Sequence, residues 1–83
     1  MTIAGIIRKY REQNNITQAD LADLLGCTHA NVSHFERGAT LPRGTIATRL
    51  AKLTGFNLTM FLTLIERERI ETKIERLQER LRA

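Results

Sequence analysis

The side chains able to do chemistry sit close together in this chain: Cys27, His29, Ser33 and His34, interleaved with Ala30, Asn31 and Arg37. They do not make a metal site. His29 and His34 are five residues apart and on a helix would point in different directions, and the single cysteine supplies only one thiolate. Nor do they make a catalytic site. No phosphate-cradling glycine loop accompanies them, no Ser–His or Cys–His pair has the right context, and 83 residues are too few to shape a deep pocket. No enzyme activity, cofactor or metal is therefore expected. Recognition remains. At about 100° per residue, a helix through this segment carries Ala30, Ser33, His34 and Arg37 on one side, with His29 flanking them and Val32 and Phe35 on the other. A neutral imidazole donates or accepts a hydrogen bond and a hydroxyl does either, whereas the alanine methyl offers an apolar contact. Such a face suits the polar edges of another molecule. A merely solvated helix face is the alternative for both histidines.

The surrounding elements must hold that face outward. Ile3, Ile6, Ile7 and Tyr10 recur at helical spacing after Thr2, a candidate N-cap, and the pattern ends at Asn14-Asn15. Thr17-Gln18-Ala19-Asp20 reads as a capping box that opens a second helix, in which Leu21, Leu24 and Leu25 share a face until Gly26 stops it. Thr28 can cap a third helix, with Val32 and Phe35 inward and Arg37-Gly38 at its end. Ala39 to Gly44, containing Pro42, reads as a loop. Ile46, Leu50 and Leu53 mark a fourth helix closed by Gly55, and Asn57 is placed to cap a fifth that runs unbroken to Ala83. With few aromatics, no Trp and one Pro, the fold class is all-α, built around one core.

The joint between the second and third helices is the most specific feature. Gly26-Cys27-Thr28 leaves only about three residues for it, which forces a steep crossing in place of an antiparallel hairpin. A small residue must sit where the helices cross, and Ala22 supplies it; the turn needs a positive φ, and Gly26 tolerates one. Leu21, Leu25, Cys27, Val32 and Phe35 complete an apolar inner side. Cys27 thus reads as a buried, inert thiol, with a redox sensor as the minority alternative.

The run from Gln18 through Gly38, Gln-Ala-Asp-Leu-Ala-Asp-Leu-Leu-Gly-Cys-Thr-His-Ala-Asn-Val-Ser-His-Phe-Glu-Arg-Gly, resembles the helix-turn-helix of the lambdoid phage repressor and Cro family, also called the XRE family. The resemblance spans residues 3 to 62. It implies a five-helix fold that binds double-stranded DNA, as a dimer in most members, in phage repressors, restriction-modification controllers and toxin–antitoxin regulators. It implies base readout by His29, Ala30, Ser33 and His34 at the start of the third helix. Backbone phosphates would be met by Thr17 and Gln18 at the start of the second helix, then by Arg37, Arg43 and Asn31. Gln18 matches the family's commonest phosphate-contacting position. Arg43 matches one that reaches the backbone or minor groove in some members, although the loop here is one residue shorter. Solvated surface charge is the alternative for Arg37 and Arg43. Arg11 and Glu36 match a structural salt bridge that ties the first helix to the end of the third.

Bulk properties agree. Thirteen Lys and Arg stand against nine Asp and Glu, a formal charge of +4 with a pI near 10.0, which favours a polyanionic partner. A lone cysteine cannot close an internal disulfide, which points to a reducing, intracellular setting. No run approaches the roughly 18 apolar residues of a membrane span, and no secretory leader is visible. The expectation is a cytoplasmic, bacterial or phage-encoded protein that associates with the nucleoid and has no membrane partner.

Charge density rises after Ile65, dividing the chain into a DNA-binding domain at 1–65 and a C-terminal helical extension at 66–83. With Leu58 at zero on the wheel, Leu58, Phe61, Leu62 and Ile65 centre at about 350°, and Ile70, Ile74, Leu77 and Leu81 at about 130°. The first face is expected to complete the core. The second, spaced four, three and four, is a short heptad seam with nothing left in this chain to cover it, and Met60 and Leu64 would extend it toward the domain. Charges four apart mostly repeat one sign, as in Arg69 with Lys73 and Glu71 with Glu75, so intrahelical pairing is not their purpose. A homodimer is the expectation, holding two reading helices about one DNA turn apart on a palindromic operator, and the resemblance implies repression as the family's usual mode. A solvated tail is the bland alternative. The functional rival is an antitoxin or restriction-modification controller that binds its own promoter and holds a partner protein on the C-terminal helix.

Overall fold

Three threonines begin three of the helices by the same device. Thr2, Thr17 and Thr28 are extended, and each hydroxyl accepts a hydrogen bond from the amide three residues on, at Gly5, Asp20 and Asn31. Each such cap stabilises its helix by about 1 kcal/mol. At Thr17 the box closes both ways, because the Asp20 carboxylate also accepts from the Thr17 amide at 3.0 Å. The computed structural model, which describes residues 1–82, contains α1 (Ile3–Asn14), α2 (Gln18–Leu25), α3 (His29–Glu36), α4 (Gly44–Thr54) and α5 (Leu58–Arg82). No strand occurs among the described residues, so the all-α, five-helix expectation holds. α4 starts at Gly44 itself, with Arg43 as an N-cap that offers no side chain to the first amides. Asn57 caps α5 as expected, its Oδ1 accepting from the Met60 amide at 3.2 Å. Ala83, expected at the end of that helix, lies outside the described residues.

Ile3, Ile6 and Ile7 of α1, Leu21, Ala22 and Leu25 of α2, Val32 and Phe35 of α3, Ala47, Leu50 and Ala51 of α4, and Phe61 and Ile65 of α5 form one core. α3 packs on α1 and α2, and α4 packs on α5. Each large side chain fully withdrawn from water contributes about 1.5–3 kcal/mol, so Val32 and Phe35 anchor an eight-residue helix too short to persist alone. Leu24, expected inward, is 53% exposed, because Leu21, Ala22 and Leu25 already fill the buried side of α2.

Gly26 turns the chain between α2 and α3 with φ 71°, in the left-handed region. The turn is braced from α4. Arg49 Nη1 donates to the Leu25 carbonyl at 2.8 Å, and a Cβ on Gly26 would run into that guanidinium. Cys27, expected to be buried, is half-buried against the core. Burial pushes its thiol pKa up, which keeps it protonated and unreactive at neutral pH.

α5 is rolled relative to expectation. Phe61 and Ile65 are buried and Leu64 half-buried, whereas Leu58 and Leu62 remain 41% and 44% exposed. The core-facing arc therefore centres at about 290° on the wheel, some 60° from where composition placed it. Leu64, expected on the outer seam, packs against the domain's own core instead. The roll has a visible brace: Glu68 Oε2 accepts from the Ile3 amide at 2.7 Å, tying the first turn of α1 to α5. At 1.5 Å per residue α5 is about 37 Å long. That exceeds the 25 Å and 21 Å short dimensions of the molecule, so the C-terminal half projects. Ile70, Ile74 and Leu77 are about half exposed there and Leu81 is 87% exposed.

Candidate nucleic-acid interface

With Val32 and Phe35 fixed in the core, α3 can present only one side to solvent. His29 and Ala30 are exposed on it, Ser33 and His34 half-buried, and Arg37 exposed just beyond the last turn. The four expected readers thus lie on one surface, with His29 and Ala30 the more open pair. Asn31 is half-buried on the flank opposite His29.

The end of α3 is pinned by Arg11. Its Nε and Nη2 donate to the two Glu36 carboxylate oxygens at 2.6 and 2.9 Å, and its Nη1 donates to the Ile16 carbonyl at 3.1 Å. Glu36 is 5% exposed. Burial alone would raise its pKa, but hydrogen bonds from Arg11 and Gln18 and the nearby guanidinium charges hold it below the ordinary carboxylate range. The Glu36 hydrogen bond raises the Arg11 pKa in turn. The pair is ionised at neutral pH and structural.

The network continues to the outward side of α3. Gln18 Nε2 donates to Glu36 Oε1 at 3.4 Å, and His29 Nε2 lies 2.8 Å from Gln18 Oε1. A carboxylate can only accept, which orients the Gln18 amide with its carbonyl toward His29. The ring must then present Nε2–H to Gln18, and a neutral imidazole so held keeps Nδ1 as an outward acceptor. Sequence reasoning assigned Gln18 and His29 to separate contacts and missed that they bond to one another. Their separation of eleven residues gives no local signal. Arg49 and Glu68 were missed for the same reason, as their partners are 24 and 65 residues away.

Two hollows border α3. One, at the start of α2, is lined by Asn15, Thr17, Gln18, Ala19 and His29 among others. Thr17 accepts the Asp20 amide there but keeps its own O–H to donate. The backbone hydrogen bond from Thr17 lowers the Asp20 pKa, so the helix start already carries a negative charge. The other hollow lies between the 38–43 loop and α5, and includes Asn31 and Arg43. Arg37 and Arg43 are exposed, and the ion pairs among the described residues are Arg11–Glu36 and Arg69–Glu66. Both arginines therefore carry uncompensated charge. No cluster of three metal-ligating side chains occurs among the described residues, and no helix is long and apolar enough to cross a membrane.

The helix-turn-helix family model matches residues 7–61. A search of curated proteins returns no match. Among solved structures, the DNA-binding domain of the P22 c2 repressor in solution is 27% identical, with a TM-score of 0.64 over 75% of this chain and 82% of that one. The P22 c2 repressor protein in complex with a synthetic operator is 26% identical, with a TM-score of 0.65 over 74% of this chain and 92% of that one. With the Gly26 turn setting α3 across α2 and the match running from α1 into α5, the chain belongs to the helix-turn-helix family, in its lambdoid repressor and Cro-like form.

Proposed function

We propose that this chain is a sequence-specific transcription regulator that binds duplex DNA as a homodimer, with one α3 in the major groove of each half of a palindromic site. The observation that carries the reading is the fixed outward side of α3, held by Val32 and Phe35 below and by the Arg11–Glu36 pair at its end. The likeness to a repressor crystallised with its operator supports it. A helix about 10–12 Å across with its side chains fits a groove about 12 Å wide. His29, Ala30, Ser33 and His34 meet base edges, with the Ala30 methyl suited to a thymine methyl, at about 1–3 kcal/mol of discrimination for each good contact. Thr17, Gln18, Asn31, Arg37 and Arg43 meet phosphates and supply the salt-dependent share of affinity.

Residues 1–65 form the reading unit and residues 66–83 join it to a second copy through Met60, Ile70, Ile74, Leu77 and Leu81. The seam residues at 70–81 lie about 160° around α5 from the arc that packs on the domain, so they point away from their own core. Occupying an operator in this way blocks polymerase, and repression is the mode of action. Selection of bound sites from random duplex DNA tests the reading. The expected outcome is two symmetric half-sites with centres about one helical turn apart. A lone half-site would remove the homodimer, and no enrichment at all would remove the function.

A further inference from the structure

Four of the six positive charges between Arg67 and Arg82 fall on one line of α5. Arg69, Lys73, Arg76 and Arg80 recur at four, three and four residues and fall within about 60° of one another on the wheel. Glu68, Glu71, Glu75 and Glu79 occupy a separate arc about 80° wide on the far side of the apolar seam. This segregation is not needed to make the helix soluble. The hollow between α5 and the 38–43 loop shows where the basic line faces: Arg69, Lys73 and Arg76 line it together with Arg43, Thr40 and Asn31, and no acidic residue is among its lining. Asn31 belongs to the flank of α3 opposite the one that borders the α2 hollow.

We propose that this hollow is a second binding site for the phosphodiester backbone of DNA, in which α5 itself contacts the strand on the far side of the major groove from α2. The inference rests on the DNA-binding reading of α3. A helix that fills the groove has a phosphate backbone on each side of it, and the molecule has a hollow on each side of α3. The α2 hollow is lined by the Glu12 carboxylate as well as by Arg11, Thr17 and Gln18, whereas every charged residue lining the α5 hollow is a cation. Arg69 is shared with Glu66 at 2.5 Å, an exposed pair of little strength, whereas Arg43, Lys73 and Arg76 have no carboxylate partner among the described residues. From residue 69 to 76 the helix rises about 10 Å, enough to follow about two or three phosphates of one strand. A second copy of α5 could also draw on these cations through its acidic arc. Arg69 and Arg76, however, lie about 120° from the centre of the apolar seam, turned toward the loop and α3.

The test uses the full chain and fluorescent duplex DNA, with affinity measured against salt concentration. K73Q/R76Q removes two cations from the hollow, and R67Q/R82Q removes two from the other side of α5 as a control of equal charge. Lys73→Gln with Arg76→Gln is expected to weaken binding about tenfold at moderate salt and to lower the slope of log K against log salt by about one unit per cation, on selected and random duplexes alike. The control is expected to keep the wild-type slope. An unchanged slope in K73Q/R76Q, or an equal loss in both variants, overturns the proposal while leaving α3 as the reader. So does a K73Q/R76Q chain that sediments as a monomer where the wild type is paired, since the line would then serve the second copy. Wild-type protein that ignores duplexes at low salt removes the reading on which the proposal rests.

Discussion

The Nε2 of His29 lies 2.8 Å from the Oε1 of Gln18, so a residue on the outward side of α3 is oriented by one at the start of the preceding helix. Gln18→Ala frees the ring to rotate and removes one donor from Glu36. The expected result is a flattened preference at one position of each half-site, with a stability loss of only about 1 kcal/mol. Site selection alongside thermal unfolding measures both. A sharp preference retained in the variant would show that His29 needs no such support.

Arg11 and Glu36 supply the larger stability effect. Arg11→Met leaves a carboxylate that is 5% exposed without its bidentate partner, at a cost of about 3 kcal/mol, a substantial part of the 5–15 kcal/mol typical of a domain. The pH dependence follows from the lowered Glu36 pKa. A carboxyl depressed on folding stabilises the protein above its unfolded value, and that contribution fades as pH falls through the folded value. The difference between wild type and R11M in urea unfolding should be largest at neutral pH and narrow as pH falls, beginning above the ordinary glutamate value of 4.5, where the unpaired and buried Glu36 of R11M takes up its proton, and continuing below it as the wild-type carboxylate is protonated. A gap that widens in acid would contradict the assignment.

Gly26 and Gly38 provide an internal comparison, since their φ values are 71° and 72°. A methyl at Gly38 meets nothing within 4 Å, whereas one at Gly26 meets the Arg49 guanidinium. Gly38→Ala should cost about 1 kcal/mol of backbone strain, and Gly26→Ala that amount plus about 1 kcal/mol for the displaced Arg49–Leu25 bond. In an Arg49→Ala background the two glycine substitutions should cost the same by thermal or denaturant unfolding. A persistent difference there would place the extra cost elsewhere.

The elements were legible because their signals are local. A threonine three residues before the amide it caps, and a glycine placed to end a helix, can be read off neighbouring letters. Much of the apolar face of each helix could be read likewise. The braces could not, as Arg49–Leu25 and Glu68–Ile3 join residues brought together only by packing. The roll of α5 was hidden for a related reason. A helical wheel gives relative angles along one helix, and the absolute angle toward the core is set by how the other helices, α4 above all, receive Phe61, Leu64 and Ile65. The wheel alone therefore puts Leu58 and Leu62 inward and Leu64 outward. At the candidate interface, the side of α3 followed from Val32 and Phe35, but the Arg11–Glu36–Gln18–His29 chain of hydrogen bonds required the tertiary fold.

The exposed seam of α5 leads to a separate expectation. Ile74→Glu with Leu77→Glu adds four negative charges per dimer to its apolar line, while the core at Phe61 and Ile65 is untouched. Sedimentation should report monomers, with helix content by circular dichroism largely retained and half-site binding weakened through loss of the second copy. Dimers that persist would place the contact on another surface.

The most direct measurement is a titration of isotope-labelled protein with its selected duplex, reading nuclear Overhauser contacts between protein side chains and base protons. The Ala30 methyl and the His29 and His34 rings should show contacts to major-groove base protons, with those of Val32 and Phe35 unchanged inside the core. Base contacts arising from another helix, with the outer side of α3 left free in the complex, would contradict the central claim.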